Sequence, residues 1–201
     1  MDNFLGFLKK LVPKRVFEFF QPAYHWLLAL AAAIVYRFPA KKIKVVGVTG
    51  TKGKSSVCEL ANAVLEEAGY KTAMASTIRF KISERTTRNL FKMTMPGRFF
   101  IQKFLRQAVK ENCDWAILEM TSEGARQFRH KFIDLDALIF TNLAPEHIES
   151  HGSYEKYREA KLSLARALEK SPKLDKIMVA NADDKEGAKF LAVNVQNKIP
   201  Y

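Results

Sequence analysis

Cysteine and long apolar runs are both scarce in this sequence, and each shortage narrows what the protein can be. Only two cysteines occur in 201 residues, Cys58 and Cys113. They share no short spacing, which excludes a disulfide framework and a zinc-finger pattern. We therefore expect two reduced thiols in a cytoplasmic protein, neither of them catalytic. The longest uninterrupted apolar run, Trp26 to Tyr36, falls well short of the roughly 20 residues that span a bilayer.

Acidic residues are also in deficit, with 21 Asp and Glu against 33 Lys and Arg and a net charge of +12. Such a charge suits nucleotides and acidic substrates, but it equally suits nucleic acid or an anionic membrane surface. The sequence has no interleaving of aromatic and basic residues of the RNA-binding kind and no basic leucine zipper. We therefore predict no nucleic-acid partner.

Residues 1–40 predict a basic and apolar helical leader that differs from the rest of the chain. Four basic residues, Lys9, Lys10, Lys14 and Arg15, precede the apolar run. The Trp and Tyr ends of that run and its flanking Lys and Arg suit a helix in a membrane interface, and the alternative, which we favour, is a helix packed on the domain. Residues 36–39 lack the small side chains of a signal-peptide cleavage site. We predict a cytoplasmic protein, with membrane association through residues 1–40 left open.

Residues 41–201 predict one domain of alternating strands and helices. Short β-branched or apolar runs predict buried strands at 43–48, 71–75, 115–120, 137–140 and 176–180. Apolar residues at helical spacing predict helices at 57–68, 98–110, 154–170 and 185–191. Residues 78–93 are polar and β-prone and predict an inserted hairpin or loop. The expected fold is α/β, a doubly wound, mostly parallel sheet with flanking helices.

A glycine-rich loop joins the first predicted strand to the first helix of this domain. Residues 47–56 read Gly-Val-Thr-Gly-Thr-Lys-Gly-Lys-Ser-Ser. Glycines let consecutive backbone N–H groups face phosphate oxygens, and the helix N-terminus adds positive potential at the same place. In this pattern Lys54 reaches the β and γ phosphates and Ser55 binds Mg²⁺. Val48 stands where the general pattern has glycine, so a plain glycine-rich turn is the alternative.

Glu119 ends a predicted buried strand, at the edge of the sheet where ligands collect in α/β proteins. A carboxylate there can hold Mg²⁺ against the phosphates, and a solvated acid at a strand end is the alternative. Many ATP-hydrolysing motor and signalling proteins with this loop carry aspartate at the end of such a strand. That class therefore ranks last among our readings.

Five segments in the same order make the sequence resemble the central, ATP-binding domain of the Mur ligases. Residues 47–56 fit G-x-x-G-T-x-G-K-[ST]-[ST], the form of the loop in that family and in the folylpolyglutamate synthetases. The other four segments are residues 118–124, 140–147, 157–161 and 181–184. Thr94-Met95-Pro96 and Gln127-Phe128-Arg129 are most similar to the UDP-N-acetylmuramoyl-tripeptide synthetases. Met95, Glu123 and Glu146 depart from the usual Thr, His and Asp.

The resemblance implies roles for named residues. ATP would be bound by the loop and by the adenine-contacting Asn181, that is by Gly50, Thr51, Lys52, Gly53, Lys54, Ser55, Ser56 and Asn181. Mg²⁺ would be held by Ser55, Glu119, His147 and a carbamylated Lys161, and Lys54, Glu119, His147 and Lys161 would serve catalysis. The muramyl peptide would contact Thr94, Thr121, Ser122, Gln127 and Arg129. Without the resemblance, Lys161 is a charge on the exposed face of a helix.

The implied reaction is ATP-dependent addition of an amino acid to a UDP-muramyl peptide in peptidoglycan synthesis. Mur ligases continue into a C-terminal domain that binds the amino acid, and they begin with a domain that grips the UDP group. We expect this chain to lack both and not to complete ligation alone. Two alternatives stay open: a folylpolyglutamate or cyanophycin type ligase core, and a non-catalytic nucleotide-binding module that docks on a membrane or partner through residues 1–40.

Overall fold

The computed structural model describes residues 14–91, 93–146 and 151–201. The described helices are α1 (Lys14–Val35), α2 (Lys54–Glu67), α3 (Arg98–Lys110), α4 (Ser122–Arg126), α5 (Tyr154–Glu169) and α6 (Gly187–Leu191). A short 3₁₀ turn, Pro39–Lys42, follows α1. The strands are β1 (Lys44–Thr49), β2 (Thr72–Ala75), β3 (Arg79–Ile82), β4 (Arg85–Arg88), β5 (Trp115–Glu119), β6 (Ala137–Phe140), β7 (Ile177–Ala180) and β8 (Asn197–Pro200).

These strands form one sheet in the order β4-β3-β2-β5-β1-β6-β7-β8. The neighbouring strands β2, β5, β1, β6, β7 and β8 all pair in parallel. Strands β3 and β4 form an antiparallel hairpin that pairs with β2. In the registers of β1, Val48 lies beside Glu119 of β5 and Thr49 lies beside Phe140 of β6. The chain segments that follow β1, β5 and β6 therefore leave the sheet at the same edge, which is where a ligand site forms in such folds.

Helices cover both faces of the sheet, as the mixed pattern of apolar runs predicts. On one face α2 packs over Val46, Met74 and Ile117 through Cys58. On the other face α3, α5 and α6 cover a larger apolar core. Within that core Phe140 of β6 stacks on Phe190 of α6, with ring centroids 3.8 Å apart. Strand β1 is buried from Val45 to Thr49 because it lies in the centre of the sheet.

The expected α/β class is confirmed, and the predicted strands and helices of the domain are found with small shifts at their ends. Residues 79–88 form the hairpin that was expected within 78–93. Strand β8 and helix α4 were not predicted. Every residue of β8 is exposed at the edge of the sheet, so it lacks the apolar alternation that marks a strand. Both cysteines are buried free thiols, as expected.

Helix α1 lies against α3 and the 132 region. Its inward face buries Ala29, Ala32 and Ala33, and Trp26 meets Phe132 edge to face at 5.5 Å. The inward face of α1 is therefore packed on the domain, as we favoured from the sequence. No helix in the described part of the chain is both long enough and apolar enough to cross a membrane. Residues 1–13 of the predicted leader lie outside the described residues.

Candidate functional site

The glycine-rich loop turns sharply between β1 and α2. Gly53 has φ 79° and occupies the N-cap of α2, which begins at Lys54. Gly50 has φ 151°, and a Cβ atom there would lie 1.9 Å from the Thr141 hydroxyl oxygen. Both conformations favour glycine, because other residues rarely adopt positive φ. The loop therefore has a tight backbone path that leads directly into the N-terminus of α2, where free N–H groups favour an anion.

The segment after β6 holds this loop in shape. The Asn142 side-chain oxygen accepts from the Lys52 N–H at 2.9 Å, and its amide nitrogen donates to the Lys52 carbonyl at 3.1 Å. The Thr141 hydroxyl donates to the same carbonyl at 2.7 Å. The Thr51 N–H donates to the Asn142 carbonyl at 2.8 Å. Sequence reasoning quoted Thr141 and Asn142 without a role, and the fold makes them the support of the loop.

The first turn of α2 brings a lysine and a serine to the loop. Lys54 Nζ donates to the Thr51 carbonyl at 2.8 Å, so its amine already lies inside the curve of the loop. Ser55 Oγ donates to Glu119 Oε2 at 2.9 Å, which joins α2 to the end of β5. The predicted phosphate-side lysine and metal-side serine are thus adjacent, and Glu119 stands next to them.

Glu119 is a buried carboxylate that is held by hydroxyl and amide donors. It is 3% exposed, and it accepts from the Thr77 N–H at 2.7 Å and the Thr77 hydroxyl at 2.9 Å. The Thr77 hydroxyl lies 2.8 Å from that of Thr94, so Thr94 is linked to the carboxylate through one residue. Sequence reasoning missed Thr77. The sequence could have indicated Thr77 because it carries a hydroxyl group just after a predicted buried strand, and that strand ends at the same edge of the sheet as Glu119.

Lys161 reaches the loop from α5 and is almost fully buried, at 2% exposure. Its amine donates to the Gly50 carbonyl at 2.6 Å and lies 4.9 Å from the centroid of the Tyr157 ring. Burial, reinforced by the positive charge of Lys54, lowers the pKa of Lys161 to about 7. The alternative of a solvent-exposed charge is therefore wrong, and a substantial fraction of the amine is neutral at pH 7.

Tyr157 and His151 complete the wall beside Lys161. The Tyr157 hydroxyl lies 3.0 Å from Thr51 Oγ1, so α5 touches the loop at two points. His151 is 6% exposed; its Nε2 lies 3.1 Å from Ser122 Oγ, and its ring meets Tyr157 edge to face at 5.2 Å. His151 was not singled out from the sequence. His147, which was, lies outside the described residues.

Several of the residues expected to hold the muramyl peptide are engaged with one another. Thr121 Oγ1 accepts from the Gly124 N–H at 3.0 Å and caps α4. Gln127 accepts from Arg129 at 2.7 Å and donates to Glu123 at 2.6 Å. Arg129 also donates to the Met95 carbonyl. Burial lowers the pKa of Arg129, although an arginine side chain stays charged in proteins. Glu123, a departure from the family pattern, thus anchors this network.

Asn181 follows β7 at the same edge of the sheet, two strands away from β1, or about 10 Å at ordinary strand spacing. Its side-chain oxygen accepts from the Asp183 N–H at 3.0 Å and forms a tight turn. Asp184 then accepts from the Leu143 N–H at 2.8 Å, which joins this turn to the segment after β6. The turn that contains Asn181 therefore lies beside the segment that follows β6. Strand β7, which precedes it, is separated from β1 by β6.

The geometry brings Lys54, Ser55, Glu119 and Lys161 together around the loop, with Thr94, Thr121 and Ser122 behind Glu119. Within residues 14–91, 93–146 and 151–201, no group of three or more His, Cys, Asp and Glu side chains lies close enough to hold a metal ion. The fold and the site together define an α/β domain whose glycine-rich loop runs from the central strand into a helix N-terminus.

The family is shown by comparison with known proteins. The family model for the Mur ligase middle domain matches residues 48–200. The chain is 41% identical over 138 residues to a UDP-N-acetylmuramyl-tripeptide synthetase of Borrelia garinii subsp. bavariensis, covering 67% of this chain and 27% of the relative. It is 37% identical over 172 residues to the synthetase of the same name in Roseiflexus sp., covering 82% and 34%. The chain therefore belongs to the Mur ligase family and spans about a third of the length of these relatives.

Solved structures share the fold. A UDP-N-acetylmuramoyl-L-alanyl-D-glutamate--2,6-diaminopimelate ligase superposes with a TM-score of 0.72 at 21% identity, over 90% of this chain and 36% of that chain. A Mycobacterium tuberculosis folylpolyglutamate synthase complexed with ADP superposes with a TM-score of 0.66 at 13% identity, over 87% and 46%. At these identities the likeness shows the fold alone.

Proposed function

We propose that this chain is the ATP-binding part of a ligase that adds an amino acid to a UDP-muramyl peptide in peptidoglycan precursor synthesis. One observation carries the proposal: the glycine-rich loop, a buried carboxylate and a buried lysine of lowered pKa meet at one edge of the sheet. Similarity to tripeptide synthetases supports the substrate class. In this proposal residues 1–40 are a leader, residues 41–201 are the central domain, and the protein acts in the cytoplasm.

ATP is assigned to the loop. Gly50, Thr51 and Lys52 form the curve of the loop, where the N–H groups of Thr51 and Lys52 donate to Asn142. The N–H groups of Gly53 and of the first turn with Ser55 and Ser56 face the phosphates, and the α2 N-terminus adds positive potential. The Lys54 amine, now on the Thr51 carbonyl, exchanges that partner for phosphate oxygens. Asn181 contacts adenine, which requires its side chain to share or leave its bond with the Asp183 N–H.

The donor set around Ser55 and Glu119 fits Mg²⁺. A serine hydroxyl and a buried carboxylate lie 2.9 Å apart, and the ion prefers oxygen ligands together with substrate phosphates. Ser55 and Glu119 would hold one ion, and Lys161, if carbamylated, would hold a second together with His147. Bound there, the metal would neutralise charge on the phosphates during transfer.

Lys161 is suited to carbamylation because a neutral amine is the reactive form. Its nitrogen lone pair attacks the carbon of CO₂, one N–H proton is released to water, and an anionic carbamate remains on the side chain. Burial lowers the pKa of Lys161 to about 7, so neutral amine is available at physiological pH. The product is an oxygen ligand beside the Gly50 carbonyl, where a lysine alone offers none.

The proposed reaction has two steps. The substrate carboxylate attacks the γ phosphorus of ATP, ADP leaves, and an acyl phosphate forms; the incoming amine then attacks the acyl carbon and phosphate leaves. Arg129 and Gln127 would bind the substrate after releasing part of their mutual bonding, and Thr94, Thr121 and Ser122 would line the path to Glu119. Positioning and charge neutralisation supply most of the rate in phosphoryl transfer. The amino acid is assigned to a domain outside this chain.

Calorimetric titration of the chain with ATP in Mg²⁺ tests the proposal. The wild-type chain is expected to bind, and Lys54→Ala is expected to weaken binding by about 100-fold, because a charge-assisted bond to phosphate and the charge itself are lost. The matched control is Lys103→Ala, an exposed lysine on α3, which should bind like wild type. Absence of binding by the wild-type chain would contradict the proposal.

Glu119→Gln separates metal from nucleotide binding. It keeps the size of the side chain but removes the charge that would hold Mg²⁺, so the strengthening of ATP binding by Mg²⁺ should fall by tenfold or more. Affinity for ATP in EDTA should change little. Glu67→Gln, at the exposed end of the same helix that carries Ser55, is the control. An unchanged Mg²⁺ effect in Glu119→Gln would remove Glu119 from the metal site.

A further inference from the structure

The solvent-facing side of α1 is apolar over its whole length from Phe20 to Val35. Five large side chains on this side, spaced as one face of a helix, are 56% to 62% exposed: Phe20, Tyr24, Leu27, Ile34 and Val35. Between Phe20 and Tyr36 the sequence contains no Asp, Glu, Lys or Arg. At 1.5 Å per residue this face, hereafter the α1 outer face, is about 22 Å long.

The distribution of side chains on α1 is the reverse of that on an ordinary surface helix. Such a helix turns its large apolar residues to the core and its charged residues to water. In α1 the most deeply buried residues, Ala29, Ala32 and Ala33, are small, whereas the five large apolar residues of the outer face point to solvent. Contiguous apolar surface on a soluble domain marks an interaction site, because covering it releases about 25 cal/mol per Å².

Basic residues flank the α1 outer face along the sequence. Lys14 and Arg15 begin the helix, and the exposed residues Arg37, Lys41 and Lys42 follow it. No Asp or Glu occurs between Glu18 and Glu59. An occupant of this face therefore meets apolar side chains in the middle and the exposed cations Arg37, Lys41 and Lys42 after its C-terminal end, and the first turn of the helix adds two basic residues to the sequence.

We propose that the α1 outer face docks the chain on an anionic lipid bilayer, with α1 lying in the plane of the interface. Leu27 and Ile34 would enter the acyl boundary, Tyr24 would lie at the level of the headgroups, and the basic ends would contact lipid phosphates. The orientation follows from the length of the exposed face and from the domain that covers the opposite side of the helix.

Charge argues against the other occupants of this face. A second copy paired antiparallel would bring Lys14 and Arg15 against Arg37, Lys41 and Lys42, and a parallel pair would bring identical basic ends together. Residues 1–13 carry Lys9 and Lys10 against Asp2 alone, so they add the same sign. A bilayer with anionic lipid complements both the apolar centre and the basic ends.

Docking would also bring the proposed substrate segment close to the bilayer. Helix α1 packs along α3, and Arg98, the first residue of α3, donates to the Gln127 carbonyl. The docking proposal does not depend on the ligase function, because it stands on the surface of α1 alone.

Flotation of the full chain with large unilamellar vesicles tests this proposal. Vesicles of phosphatidylcholine with 30% phosphatidylglycerol, about the level needed for a substantial negative surface potential, are compared with phosphatidylcholine alone. We expect binding at least tenfold stronger to the anionic vesicles, weakened by salt. Leu27→Gln/Ile34→Gln should lower that binding at least tenfold. The matched control Leu90→Gln/Leu174→Gln changes leucines that are 79% and 81% exposed elsewhere and should bind like wild type.

Equal vesicle binding by wild type and Leu27→Gln/Ile34→Gln would overturn the proposal, as would equal binding to the two kinds of vesicle. A lipid-free oligomer that this double variant disperses, without vesicle binding, would assign the face to a second copy and also overturn it. Circular dichroism and ATP titration of each variant report the fold and the loop separately. Loss of vesicle binding by Leu27→Gln/Ile34→Gln with intact ATP binding therefore supports docking. Vesicle binding by a wild-type chain that does not bind ATP would contradict the ligase proposal and leave docking intact.

Discussion

In CO₂-free buffer, the wild-type chain is expected to gain free energy of unfolding over a Lys161→Met variant as the pH rises from about 7 to about 9. The folded pKa of Lys161 is lowered to about 7 by burial, whereas an unfolded lysine stays protonated until about pH 10.4. Between these values the unfolded chain binds more protons, so raising the pH favours the folded state. The contribution is lost as the pH falls through about 7, and below that the amine is charged in both states.

Urea unfolding at several pH values measures this effect. The difference in unfolding free energy between the two proteins should grow by up to about 1.4 kcal/mol per pH unit in that window. Lys103→Met, a change of an exposed lysine, should run parallel to wild type. Parallel curves for wild type and Lys161→Met would contradict a buried amine of lowered pKa.

The same variant tests carbamylation. Native mass measurement in bicarbonate should show one added CO₂ on the wild-type chain and none on Lys161→Met, because methionine has no amine. Acidification should release the group. An added CO₂ that survives in Lys161→Met would place the modification elsewhere.

Gly50→Ala is expected to lower ATP affinity by about 100-fold. The new Cβ would lie 1.9 Å from the Thr141 hydroxyl oxygen and 3.1 Å from the Asn142 backbone, in a residue with φ 151°. Thr141 must then move, which breaks its bond to the Lys52 carbonyl, and the Gly50 carbonyl that receives Lys161 moves as well. Strain of this kind costs about 1–3 kcal/mol, and a displacement of about 1 Å at a site of this kind costs about 100-fold in function.

Gly97→Ala is the matched control, because a Cβ there meets nothing within 4 Å. It should leave both ATP affinity and the unfolding free energy close to those of wild type. Thermal unfolding of Gly50→Ala shows whether the domain remains folded at the temperature of the titration. Wild-type affinity in a folded Gly50→Ala protein would remove this loop from the phosphate site.

The sequence predicted structure well where all the residues that determine an element are neighbours along the chain. The strand, glycine-rich loop and helix at residues 43–68 could be predicted because apolar periodicity and glycine spacing act over a few residues. The end of β5 at Glu119 followed from an apolar run and a carboxylate. Strand β8 could not be predicted, since at the edge of the sheet neighbouring strands, rather than its own side chains, stabilise it.

The sequence by itself determined the α/β alternation, the glycine-rich loop at residues 47–56 and the family. Only the tertiary structure decided that Lys161 is buried on the Gly50 carbonyl, 111 positions away, that Thr77 joins Thr94 to Glu119, and that five large apolar residues of α1 face outward. The physical reason is that burial, pKa and side-chain partners depend on atoms brought together by packing, whereas periodicity and loop chemistry depend on neighbours along the chain.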